Sequence, residues 1–308
     1  MRISEPIERY RVSSLPGSRN YRRAINGLLR QLANVALSGR RSLTLRDKVA
    51  LFTLVSEYSA AAIEAATIAS SGIVTVSVPN DTFVVPESLL SMLYLDHLVF
   101  GYATFELAGD IIVYADPTQF TSISLKPDGS VDVIVRDSED ISDRVGVVTI
   151  YPNPFVFGFS VPELIPQTFM TLLLYRNRVV YDLSQFRKPE FLVITSEMLS
   201  PEEVLNKRRS IIEQAEDDYG SVMFYSHSGE EKPQVVVFGK DESLPREFIN
   251  TVYEREVELL RQTCGLPTDG KLSAIMASFF EQLRSEIERL LTGARVEVGL
   301  PDINGDDK

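Results

Sequence analysis

The stretch Leu93-Tyr94-Leu95-Asp96-His97-Leu98-Val99-Phe100-Gly101-Tyr102-Ala103-Thr104-Phe105-Glu106-Leu107 changes period at a glycine, and that change decides the fold class. Ahead of Gly101, Leu89, Leu90, Leu93, Leu95 and Leu98 recur at helical spacing behind Pro86, whose fixed φ suits a first helical turn. Behind it, Tyr102 to Leu107 reads as a strand. Gly101 supplies the left-handed residue that commonly ends a helix. A helix feeding a run of strands points to an α+β unit.

Reading toward the C-terminus, Ile111 to Tyr114 forms the next strand after an Ala-Gly-Asp turn. Phe120 to Leu125 and Val131 to Val135 flank Pro127-Asp128-Gly129, a turn sequence, and a further strand runs from Val145 to about Tyr151. Toward the N-terminus, residues 73–78 form a short strand. Thr44 and Asp47 make a capping-box pattern ahead of a long helix that Gly72 ends. Ile25, Leu28, Leu29, Leu32 and Ala36 mark a helix closed by Gly39, and residues 1–20 lack periodicity and read as an extended arm.

Pro152, Pro154, Pro162 and Pro166 mark a boundary. A helix follows over Phe169 to Phe186. If it begins near Val161 it is roughly 40 Å long. Next come a strand at Phe191 to Thr195, a capped helix opening at Ser200-Pro-Glu-Glu203 and reaching about Asp217, and strands at Val222 to Ser226 and Gln234 to Phe238. These make a small β-α-β-β module inserted between two long helices. The second long helix runs from about Leu244 to Cys264, and another from about Leu272 to Leu291 ends at Gly293.

The 308 residues suffice for about two domains and a real core. No apolar run approaches the roughly 18 residues of a membrane span, and the first thirty residues lack the pattern of a secretion signal. One cysteine, Cys264, leaves no internal disulfide and fits a reducing compartment. Charge is uneven. Residues 1–48 carry eleven basic residues, from Arg2 to Lys48, against three acidic ones, a net of +8, and leave −20 for the rest. A basic leading segment can hold an acidic partner or DNA, or it can be a solvated arm, while an acidic body repels DNA.

The chemistry of catalysis finds little to use. With only His97 and His227, histidine triads and metal clusters lack their parts. His97 lies in an apolar helix, as a core or interface side chain would; His227 falls in a turn. Cys264 ends a helix, where the dipole disfavours a thiolate. Gly265-Leu-Pro-Thr-Asp-Gly270-Lys271 has the spacing of a phosphate-cradling loop. However, a helix precedes it and Leu272 stands where Ser or Thr is needed. The acidic tail after Asp302 stops short of a calcium loop. The chain is therefore expected to be no enzyme, without cofactor or metal.

Three stretches, taken in order, resemble the portal proteins of tailed bacteriophages. Leu93 to Leu107 looks like the helix-Gly-strand segment of the portal wing. Phe157-Gly-Phe-Ser-Val-Pro-Glu-Leu-Ile165 is similar to the segment leading into the first stem helix. Glu254 to Pro267, ending Glu-Leu-Leu-Arg-Gln-Thr-Cys-Gly-Leu-Pro, resembles the second stem helix and its turn into the tunnel loop. The resemblance spans residues 85–292 and implies an α+β, portal-like fold: an α/β wing, two long stem helices bracketing a β-α-β-β clip, and little or no crown.

In detail it implies an extended basic arm over 1–20, a wing over 21–157, a first stem helix over 158–189 and a clip over 190–240. A second stem helix over 241–264, a tunnel loop over 265–271 and a helix returning to the wing over 272–293 follow, before a C-terminal strand and acidic tail over 294–308. The implied partners are further copies of the chain, in a ring of about twelve, and double-stranded DNA passing through without sequence specificity. Others are the major capsid protein, the large terminase subunit as packaging motor and a head-tail adaptor, with no membrane involved. The implied place is the capsid portal vertex of a virion assembled in the host cytoplasm, serving genome packaging and ejection.

Gly265, Leu266, Pro267, Thr268, Asp269, Gly270 and Lys271 would then face the DNA. Arg9, Arg11, Arg19, Arg22 and Arg23 are candidate contacts of the basic arm to capsid, scaffold or DNA. The apolar residues of 169–183 supply either a face between neighbouring subunits or part of the chain's own core. A baseplate or connector ring protein, or an enzyme with an unrecognised site, are the rival readings.

Overall fold

Twenty residues ahead of the first turn build helix α1 (Arg19–Ser38), which buries Ile25, Leu28, Leu32 and Val35 along one stripe. The computed structural model describes residues 19–38, 43–79, 81–109, 111–125, 131–149, 158–184, 190–195, 200, 202–203, 206, 222–226, 234–238, 246–267 and 271–301. The chain divides into two units, Met1–Tyr175 with Tyr253–Lys308, and Arg176–Val252. Because α1 begins at Arg19, Arg19 and Asn20 are helical and do not belong to the extended arm expected over 1–20, whose residues 1–18 lie outside the described residues. Polar residues in a first turn leave no trace in hydrophobic periodicity.

The capping box is real: Asp47 N–H donates to the Thr44 hydroxyl oxygen at 3.2 Å and Thr44 N–H to the Asp47 carboxylate at 3.3 Å. The single long helix expected from there to Gly72 is instead two, α2 (Leu45–Leu54) and α3 (Ser56–Ser70), bent by 97° at Val55. Val55 is extended, with φ −102° and ψ 93°. Buried positions continue in one stripe through the bend, from Lys48, Leu51 and Phe52 to Tyr58, Ala62, Ala65 and Ala69, so the sequence pattern conceals it. A straight helix over both would be roughly 39 Å long, too long to keep both ends on one small core. Together the pair is apolar enough to span a membrane, but most of its apolar side chains lie in the core, with Leu45 and Ile63 exposed. No single described helix is long and apolar enough to cross one.

Strands β1 (Ile73–Val78) and β2 (Asp81–Val84) form a hairpin, followed by α4 (Glu87–Phe100), which Gly101 ends at φ +86°. Strands β3 (Tyr102–Ala108), β4 (Ile111–Ala115), β5 (Ser122–Leu125), β6 (Val131–Arg136), β7 (Glu139–Asp140) and β8 (Val145–Thr149) follow. A short helix α5 (Val161–Leu164) leads to α6 (Pro166–Ser184). The single helix considered from Val161 is thus broken at Ile165, because the residue before a proline is driven out of the helical region.

In the second unit, β9 (Glu190–Thr195) is central, with β10 (Val222–Ser226) parallel on one side and β11 (Gln234–Phe238) antiparallel on the other. The Ser200 cap is present, Ser200 N–H donating to Glu203 and Glu203 N–H to the Ser200 hydroxyl. The chain returns through α7 (Arg246–Thr263) and α8 (Ala274–Leu290) to β12 (Arg295–Gly299).

In the first unit three small sheets run β12-β1-β2, β4-β3-β8 and β5-β6-β7. Strand β8 is an edge, and α8 covers it chemically. Gln282 accepts from Thr149 N–H at 3.0 Å, Glu286 from Val147 N–H at 3.2 Å, and Arg289 donates to Val145 O at 2.9 Å. Residues 282, 286 and 289 share one helix face, so one helix satisfies a strand edge that would otherwise invite foreign pairing.

Candidate functional site

The three stretches that carry the portal resemblance meet around α4. Gly101 at its end and Gly158, both at positive φ, cross so closely that a Cβ on Gly158 would lie 2.4 Å from the Gly101 carbonyl oxygen. Beside this crossing lies a buried polar centre. Glu163 accepts from Leu43 N–H at 2.6 Å, Ser160 N–H at 2.7 Å and the Ser160 hydroxyl at 2.7 Å, and pairs with Lys48 Nζ at 2.9 Å. Lys48 also donates to Phe100 O at 2.7 Å. Burial lowers the Lys48 pKa, against the opposing pull of Glu163. Lys48 therefore does not belong to a solvated basic segment, as its place among the eleven leading basic residues suggested.

The third stretch docks through Tyr94, whose hydroxyl donates to Cys264 O at 3.1 Å. Gly265 follows at φ +88°, where a Cβ would stand 2.2 Å from the Tyr94 oxygen. The base of α7 is tied to α3 by Tyr253 to Glu57 at 2.7 Å and by Arg261, which donates twice to Glu64 at 2.9 Å. Thr168 donates to Glu256 at 2.6 Å, and Tyr175 stacks on Tyr253 with centroids 4.4 Å apart. The α6 and α7 bases thus run side by side within the first unit.

The residues expected to face DNA separate into two groups. Gly265 and Leu266 are buried in the core and Pro267 is half-buried, so they anchor the loop instead of presenting it. Lys271 is exposed; Thr268, Asp269 and Gly270 lie outside the described residues. Flexible composition concealed this, although Gly265 has the signature of a helix-ending residue and Leu266 is a large apolar side chain. Of the basic-arm residues, Arg9 and Arg11 lie outside the described residues, while the backbones of Arg19, Arg22 and Arg23 belong to α1.

On α6, Phe169, Leu172 and Leu173 are buried within the chain's own core, which decides that part of the apolar face; Leu174 is 54% exposed and Leu259 on α7 is 41% exposed. His97 is a core side chain, between Tyr94 at 5.9 Å and Phe279 at 5.2 Å, and burial lowers its pKa to about 3. Burial also pushes the Cys264 thiol far up, against the opposing pull of Arg261. His227 lies outside the described residues. Among the described residues no group of three His, Cys, Asp or Glu could hold a metal ion.

No protein-family model and no curated protein sequence matches the chain. Solved structures do. An HK97-family phage portal protein from Corynebacterium diphtheriae superposes with a TM-score of 0.54 at 12% identity, covering 87% of this chain and all of that one. The fold is portal-like. A chain from the neck of a native GTA particle covers 92% of this chain and 91% of its own at 13% identity, but its TM-score of 0.39 is too low to bear on the fold. A portal-like fold explains why the order of the three stretches was informative while each alone was degenerate: all three build the surroundings of α4.

Proposed function

We propose that the chain is a subunit of a phage portal, the head-tail connector ring through which DNA enters and leaves the capsid. The observation that carries this reading is the superposition of an entire portal protein on 87% of the chain. In this reading residues 21–157 are the wing, to which residues 272–293 return, α6 and α7 are the stem helices, and the strands β9, β10 and β11 belong to the clip. Leu174 and Leu259, large apolar residues left exposed on the two helices, support packing against neighbouring subunits. The −20 charge outside the leading segment supports a channel wall that does not bind the phosphates it passes.

DNA contact then falls to residues 268–271, anchored by Gly265 and Leu266. The clip would dock the large terminase subunit during packaging and the head-tail adaptor afterwards. The wing would meet the major capsid protein at the portal vertex, with assembly in the host cytoplasm. The role is structural, not catalytic. Light scattering on the purified chain tests the reading: a particle of about twelve subunits is expected. A mass that stays monomeric even with capsid and scaffold proteins present contradicts it.

A further inference from the structure

The Lys48–Glu163 pair sits between two helix ends. Lys48 donates to the carbonyl of Phe100, the last residue of α4, while Glu163 is the third residue of α5 and closes its capping box with Ser160. A helix C-terminus favours a cation and an N-terminus a carboxylate, so each partner stands where the adjoining helix stabilises its charge. The donors to Glu163 come from three separate places: the backbone at Leu43, α2 at Lys48, and the segment before α5 at Ser160. A buried pair of this kind is a weak source of net stability, since packed apolar residues of like volume often do as well. What apolar packing does not supply is direction, because hydrogen bonds weaken steeply when their angles change. Just past the pair the helix breaks at Ile165, with φ −128° and ψ 57°, and α6 begins.

We propose that Glu163, held by Lys48, is a positioning residue that fixes the direction in which α6 leaves α5. Ile165 is the joint, and the buried pair pins one setting of it. The crossing of Gly101 and Gly158 brings the backbones close enough for that pin to reach. The inference does not depend on ring assembly.

Nitroxide labels on Ile111→Cys and Leu174→Cys in the full chain test it, since both positions are exposed while Cys264 is buried and stays unlabelled. Pulsed electron paramagnetic resonance of the doubly labelled parent, diluted in a large excess of unlabelled chain so that only distances within one subunit contribute, is expected to give one narrow distance peak. Lys48→Met and Glu163→Gln are each expected to shift or broaden it. Phe279→Leu loosens the core where Phe279 packs on Tyr94 and His97, without touching the pair, and is expected to keep the parental peak. An unchanged peak in Lys48→Met and Glu163→Gln, with a lowered denaturation midpoint, would overturn the proposal and leave the pair a stability element only. Equal broadening in Phe279→Leu would also overturn it, as general loosening. If Lys48→Met does not fold, Lys48→Arg carries the test, because a guanidinium fork does not reproduce the two bonds of Nζ; a displaced peak supports the pin and a parental peak refutes it.

Discussion

Lys48–Glu163 and Arg261–Glu64 both join a helix to a partner more than a hundred residues away, yet they sit in opposite surroundings. The first pair is 3% and 0% exposed and adds donors from Leu43 and Ser160. The second is 41% and 47% exposed, though its two guanidinium bonds at 2.9 Å are the better-matched geometry. Burial, not bond length, decides what each is worth. In water the alternative to a pair is solvation; in the core it is an uncompensated charge.

Four substitutions sharpen that contrast. Lys48→Met takes the Lys48 ammonium away from the buried Glu163 carboxylate and should cost about 3–5 kcal/mol in denaturant unfolding. A loss under about 1 kcal/mol would mean that proton transfer or water relieves the charge. Gly158→Ala should cost about 1–3 kcal/mol from positive φ alone, with the close Gly101 carbonyl adding to it. Wild-type stability there would show that the crossing can open.

His97 adds a pH dependence. Its folded pKa near 3 lies below the unfolded value of 6.5, so below pH 6.5 the unfolded chain binds a proton that the folded chain does not. Its contribution is fully present above pH 6.5 and is lost as pH falls toward 3, at up to about 1.4 kcal/mol per pH unit. The difference between wild type and His97→Leu, followed from pH 7 to 4, isolates that slope; parallel curves would place the histidine in contact with solvent. Arg261→Gln should be the mildest change, about 0–1 kcal/mol, and should shrink further in salt.

How much of this was legible in the sequence depended on whether a feature is local. Caps were readable because they act within one turn: Thr44 with Asp47, Ser200 with Glu203, and Gly101 all stand where their chemistry placed them. The order of most described helices and strands followed from periodicity, but β2 and β7, of four and two residues, were too short to show one, and the helix expected from Ser200 to about Asp217 lies almost wholly outside the described residues. The bend at Val55 did not, since one apolar stripe runs through it, and curvature is invisible to spacing. Lys48 looked like one more basic residue because its partner is 115 positions away, and nothing local marks a charge as buried. Gly265 and Leu266 were read as flexible from composition, whereas both are buried, with the Tyr94 hydroxyl standing where a side chain on Gly265 would go. The side-chain bonds from α8 to the edge of β8 likewise join residues far apart in the chain and had no local signal.

The proposed closure of this portal-like fold into a DNA-conducting ring can be seen by electron microscopy of the purified, assembled protein. The expected result is a closed ring with an axial channel, about twelve subunits around it, and Lys271 at the channel wall. An open filament, an isolated subunit under all assembly conditions, or a ring with Lys271 on its outer surface would contradict the account.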